Sequence, residues 1–109
     1  MNPGVENPSI IDYISEDPRT GAFVLVIVEN REWNGSAERI AELQCKLNAY
    51  LSFALDGELA KRFPDSIGKP VRVELFCVSH PDPETSKFLE FARSQLRKEG
   101  VQFEVVSMR

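Results

Sequence analysis

The sequence predicts a two-layer α/β sandwich: ββαβαβ, a four-stranded mixed sheet with both helices on one face. Three observations predict it. Four segments rich in strand formers are interleaved with two segments whose apolar residues recur at helical spacing. The last three strand segments are separated by those helices, so they run parallel with right-handed crossovers. The first two are joined by a tight turn, so the first strand runs antiparallel to the second. If the sheet grows in one direction the strand order is 1-2-3-4. Residues 1–8, with Pro3, Gly4 and Pro8, read as an arm, and residues 9–109 as a single α/β domain.

Each element has a local reason. Residues 10–14 are strand formers, and residues 16–21 form the turn. There Asp17 can bond the backbone, Pro18 presets φ and Gly21 accepts a left-handed conformation. Residues 23–29 are apolar on both alternating faces: Phe23, Leu25 and Ile27 on one, Val24, Val26 and Val28 on the other. Such a strand is usually central. Asn34-Gly35 punctuates the following loop, and Ser36 is the expected N-cap of the first helix, with Glu38 in its first turn. Ile40, Leu43, Leu47, Tyr50, Leu51 and Ala54 form its core stripe. The helix is expected to reach Arg62 with a weak point at Asp56-Gly57, and Phe63-Pro64 ends it.

Residues 71–78 are the third strand, with Val73, Leu75 and Cys77 on one face and Arg72, Glu74 and Phe76 on the other. Asp82-Pro83-Glu84 opens the second helix as cap, first-turn proline and early acid. Phe88, Leu89, Ala92 and Leu96 are its apolar stripe, and Gly100 its stop. Residues 101–106 are the last strand, Val101, Phe103 and Val105 alternating with Gln102 and Glu104.

With both helices on one side, the other face of the sheet should be wet. Arg72, Glu74, Gln102 and Glu104 fit that; Val24, Val26, Val28, Phe76 and Val78 do not. Phe53 and Leu59 read as lying off the core stripe of the first helix, with Ala49 and Ala60 as a small-residue strip. The expectation is a homodimer through the open sheet face, the outer side of this helix, or both, with Val24, Val26, Val28, Phe76, Phe53 and Leu59 as its contacts. The competing expectation is that the arm, with Val5, covers the sheet face.

Composition removes other classes. The 109 residues are 42% hydrophobic and include seven Phe, which excludes wholesale disorder. The longest apolar run, residues 22–28, is far short of the ~18 residues of a membrane span. Thirteen Lys+Arg against seventeen Asp+Glu give a net charge of −4, which argues against nucleic acid as a partner. Arg93, Arg97 and Lys98 are the densest basic cluster, and they suit the negative end of a helix. The N-terminal stretch lacks signal-peptide character, and Cys45 and Cys77 fit free thiols, so the cytoplasm is the expected compartment.

Parallel sheets of this kind bind ligands beyond the carboxyl ends of their strands. That edge collects Glu29, Arg31 and Trp33 after one strand and His80 and Asp82 after the next. A site there would use His80 as acid or base, Glu29 or Asp82 to orient it, Trp33 as a flat wall and Arg31 as an anion anchor. The bland reading is a turn at His80-Pro81, a cap at Asp82 and a core plug at Trp33. One His and two separated Cys make no zinc site without carboxylates, and there is no phosphate-cradling loop or nucleophile elbow. No metal and no cofactor is expected. Both cysteines read as small hydrophobes, and Glu42–Lys46 as a solvated helix pair.

The runs IIDYISEDPRTGAFVLVIVENREWNGS, LQCKLNAYLSFALDGELAKRFP and GKPVRVELFCV resemble a family of small bacterial proteins catalogued only as a domain of unknown function. The likeness extends from Val5 to Val106. It rests on the Ile-Asp of the first strand, the Trp33–Gly35 loop, Asn48-Ala49-Tyr50 and Asp56-Gly57. It implies a bacterial, cytoplasmic, stand-alone domain and carries no activity, cofactor or catalytic residue. Asn48 and Tyr50 are then expected as hydrogen-bonded contacts of a dimer, the alternative being that Asn48 and Ser52 face water. The reading that results is a non-catalytic homodimeric interaction module. Its alternative is a small-molecule binder or weak hydrolytic enzyme at the strand carboxyl edge.

Overall fold

A strand that is apolar on both faces belongs in the middle of a sheet, and Phe23–Glu29 sits there. The computed structural model describes residues 13–107. Its elements are β1 (Tyr13–Glu16), β2 (Phe23–Glu29), α1 (Ala37–Leu55), α2 (Glu58–Arg62), a 3-10 turn at Pro64–Ser66, β3 (Val71–Cys77), α3 (Pro83–Lys98) and β4 (Val101–Ser107). The sheet order is β1-β2-β3-β4, with β1 antiparallel to β2 and the other pairs parallel. This is the predicted mixed sheet. Residues 10–12 of the predicted first strand, and the arm at 1–8, lie outside the described residues. Glu16 is the last residue of β1 rather than part of the turn. In the turn itself the Asp17 carboxylate accepts the Arg19 N–H at 2.9 Å.

One core forms between the layers. Phe23, Leu25 and Ile27 of β2, Val73, Leu75 and Cys77 of β3, and Val101 and Phe103 of β4 meet residues from every helix. Those residues are Leu43, Leu47, Tyr50 and Phe53 of α1, Leu59 of α2, and Leu89, Ala92 and Leu96 of α3. All the helices therefore lie on the same side of the sheet. Each large apolar side chain so buried contributes roughly 1.5–3 kcal/mol relative to its exposed state. The phenol of Tyr50, itself wholly buried, donates to the Val26 carbonyl at 2.6 Å and ties α1 to β2.

The helix ends follow their predicted chemistry. Ser36 caps α1 by accepting the Arg39 N–H at 3.2 Å. The weak point at glycine is a break: Gly57 has φ +99°, a left-handed conformation that favours glycine, and it separates α1 from α2. The placement of two expected dimer contacts is corrected. Phe53 and Leu59 are 9% and 2% exposed and belong to the core. Phe53 follows Tyr50 by three residues and shares its inward face. Leu59 lies beyond the break, where a helical phase counted from α1 no longer holds. Tyr50 is likewise in the core of this chain, while Asn48 is exposed. Cys45 is exposed too, so it is not a packed small hydrophobe.

The outer face of the sheet divides in two. Toward the N-terminal ends of the parallel strands, Arg72 donates to Glu74 at 2.8 Å and to Asp17 at 3.3 Å, and Val24, in register with Arg72, is buried. Toward the other end the register aligns Val28, Phe76 and Val106 in one row, with Val26 and Tyr13 paired in a neighbouring row. Val26, Val28, Phe76 and Val106 are half-buried, and Tyr13 is exposed. The expected cover by Val5 falls on residues outside those described.

Candidate functional site

β2 and β3 deliver their C-terminal residues to one end of the sheet, and every residue of the expected edge site lies there. Glu29 is the last residue of β2 and is 1% exposed. A carboxylate so placed needs donors, and the loop that follows supplies them. The Arg31 backbone N–H and Nε reach Glu29 Oε1 at 2.9 and 3.0 Å, and Nη2 reaches Oε2 at 2.9 Å. The same Nη2 donates to Glu42 on α1 at 3.1 Å. This fork of charge-assisted bonds holds the guanidinium pKa above its ordinary value: the Glu29 hydrogen bonds outweigh the opposing effect of burial, with Glu42 adding to them. Glu42 thus pairs with Arg31. Lys46, expected in solution beside Glu42, is fully buried, its ammonium 5.6 Å from the Tyr50 ring centre.

Trp33 packs into the core. Its indole Nε1 is buried and meets no acceptor in hydrogen-bond geometry among the described residues, although the Cys77 thiol is close enough to feel it. Burial pushes that thiol up to about 11; the neighbouring indole N–H opposes the rise and the charge of Glu29 adds to it. At pH 7 Cys77 is a protonated, inert thiol. The hydroxyl of Ser79, just past β3, is a second buried polar group without a partner among the described residues.

Asp82 caps α3. Its Oδ1 accepts the Thr85 N–H at 2.9 Å and its Oδ2 the Thr85 hydroxyl at 2.8 Å. The Gly35 backbone N–H turns to the same carboxylate. Burial works against the charge, but the donors of Thr85 and Gly35 prevail, and the carboxyl pKa is lowered. Gly35 has φ +71°, and a Cβ there would come 3.2 Å from Asp82 Oδ1. The loop after β2 is therefore clasped to the start of α3.

Three contacts result: Glu29 with Arg31, Trp33 with Cys77, and Asp82 with Gly35. His80 is exposed and joins none of them. The buried Lys46 was invisible to sequence reading, because a lysine four residues after a glutamate signals a solvated helix pair. Phe91 was passed over as well. It is 58% exposed and lines a cleft of about 300 Å³ between α1 and α3 with Leu51 and Phe88. Its position three residues after Phe88 was the available signal. Among the described residues no group of three or more His, Cys, Asp or Glu is arranged to hold a metal ion, and no helix is long and apolar enough to cross a membrane.

The family model described as "Family of unknown function (DUF6572)" matches residues 4–109. No curated protein and no solved structure matches the chain.

Proposed function

This chain belongs to that family of unknown function, DUF6572, and from that premise we propose a non-catalytic, homodimeric protein-interaction module of the bacterial cytoplasm. The observation that carries the reading is the apolar row Val28–Phe76–Val106, flanked by Val26 and Tyr13, on the sheet face opposite the helices. The row Val28–Phe76–Val106 itself holds no charge, and the neighbouring row runs on from Tyr13 and Val26 to Glu74 and Glu104. Such a surface is stabilised by a second apolar surface, and a two-fold partner supplies the same one. A stable interface takes about 800 Å² from each partner. The row must therefore be joined by the Arg72–Glu74 region as a polar rim. Val24 contributes least, being already buried. Two free thiols suit a reducing compartment.

Sedimentation velocity of the full chain between 5 and 100 μM tests the reading, as about the range in which a modest interface forms. The expected result is a dimer that Phe76→Glu converts to monomer without loss of helical signal. A monomer throughout the range overturns it. So does a dimer that Phe91→Glu dissociates and Phe76→Glu does not, which would move the contact to the cleft between α1 and α3.

A second reading has its own observation. The unpartnered Trp33 Nε1 and Ser79 Oγ both lie past the strand carboxyl ends, where a small polar ligand would satisfy them. Binding at this edge would alter Trp33 fluorescence. With one Trp in the chain, an unresponsive emission across a small-metabolite panel removes this reading.

A further inference from the structure

The basic cluster at the end of α3 does more than face the helix terminus. Arg93 and Arg97 line a cleft of about 380 Å³ that runs beside residues 100–104. These include the start of β4, an outer strand of the sheet that pairs with β3 alone among the described residues. Arg93 reaches across to this strand: its Nε donates to the Phe103 carbonyl at 3.3 Å, while Nη1 holds Glu90 at 2.8 Å. Arg97 is exposed and enters no ion pair among the described residues. The opposite side of the cleft has other chemistry. Gln102 and Glu104 are exposed and share the outer face of the sheet with Arg72 and Glu74. The cleft therefore carries two arginines on its helix side and a glutamine and a glutamate on its sheet side, with a strand edge between.

We propose that this edge receives an extended segment of a partner protein carrying an acidic side chain at every second position. A strand edge presents backbone donors and acceptors to such a segment. Alternate residues of the added strand would point to opposite walls. Acids two residues apart are about 6.6 Å apart along a strand, and Arg93 and Arg97, four residues apart on a helix, are about 6 Å apart along its axis. Successive acids on one side of the segment thus meet successive arginines. The intervening positions face Gln102 and Glu104, where neutral hydroxyl side chains fit and further acids are repelled. The Arg93 Nε on the Phe103 carbonyl is the contact an incoming strand would displace, freeing that donor for a carboxylate while Nη1 stays on Glu90.

The test uses the full chain and two fluorescein-labelled, amidated heptapeptides of one composition. One alternates Glu and Thr, beginning and ending with Glu; the other has its four Glu contiguous, followed by three Thr. Fluorescence anisotropy should show the alternating peptide binding at least about tenfold more tightly. Arg97→Glu should weaken it at least about tenfold, and Arg97→Lys less than about threefold, each being a charge effect at a partly exposed site. Hydrogen exchange of the β4 amides should slow when the alternating peptide is bound. The proposal is overturned by equal binding of the two peptides, by an Arg97→Glu affinity within twofold of the parent, or by unchanged β4 exchange. Arg97→Gln, read by the same direction of change, replaces Arg97→Glu if circular dichroism shows the latter unfolded. None of these results depends on the sheet-face dimer, which sedimentation reads separately.

Discussion

Tyr50 and Val26 are joined by a 2.6 Å hydrogen bond from phenol to backbone carbonyl, made where the α1 side chain is wholly excluded from solvent. Removing the hydroxyl leaves a buried carbonyl without this donor. Tyr50→Phe should therefore cost about 1–3 kcal/mol. Tyr50→Ala adds a cavity and should cost about 3–5 kcal/mol. Urea denaturation of both variants checks the order.

Asp82 predicts a pH effect of definite sign. Its carboxyl pKa is lowered in the folded chain, so the stabilisation it gives is present above its ordinary value of 3.8 and is lost as pH falls through the lower, folded value. Asp82→Asn keeps an acceptor for the Thr85 N–H but not the charge, so it should flatten this acid limb by bringing neutral stability down toward the acid value. Asp82→Ala should cost about 1–2 kcal/mol at pH 7 through loss of the cap. Thermal melts between pH 2.5 and 7 distinguish the two.

The Glu29–Arg31 fork predicts an asymmetry. Arg31→Met leaves a buried carboxylate without its main partner and should cost about 3 kcal/mol. Glu29→Gln leaves a half-exposed guanidinium that still has Glu42, and it should cost less. Chemical denaturation of the two variants, and of the double variant, gives the coupling between them.

The two thiols should react at very different rates. Cys45 is exposed on α1, and Cys77 is buried with a thiol pKa near 11. A disulfide-exchange reagent at pH 8 should modify one thiol within seconds to minutes and the second only on unfolding. Cys45→Ser should abolish the fast phase. Two fast thiols would contradict the described core.

Much of the architecture was legible because periodicity reports what a residue faces. Phe23, Leu25 and Ile27 alternate with three valines, and β2 carries this doubly apolar pattern to the centre of the sheet. Ser36 and Asp82 announce their helices through cap chemistry that depends on local sequence alone. Leu59 was misplaced because it lies beyond the break at Gly57, where a helical count is interrupted, whereas Phe53, three residues after Tyr50, was within reach of that count. Lys46 and Glu29 were beyond sequence reading for another reason. A charged side chain is inside only when donors or acceptors come to it, and alternation along a strand does not report that the Arg31 side chain folds back onto Glu29 two residues earlier. The five residues expected at the strand edge do lie at one end of the sheet, but their side chains are engaged with three different neighbours or, at His80, face solvent.

The clasp between Asp82 and Gly35 makes two crossovers share a single fastening. An extra residue inserted in the Trp33–Gly35 segment would withdraw an amide from the carboxylate that also starts α3, and would unseat the indole beside Cys77. Shortening the segment that leads from β3 to Asp82 would do the same from the other side. Loop grafting at this end of the molecule must therefore alter both connections in concert.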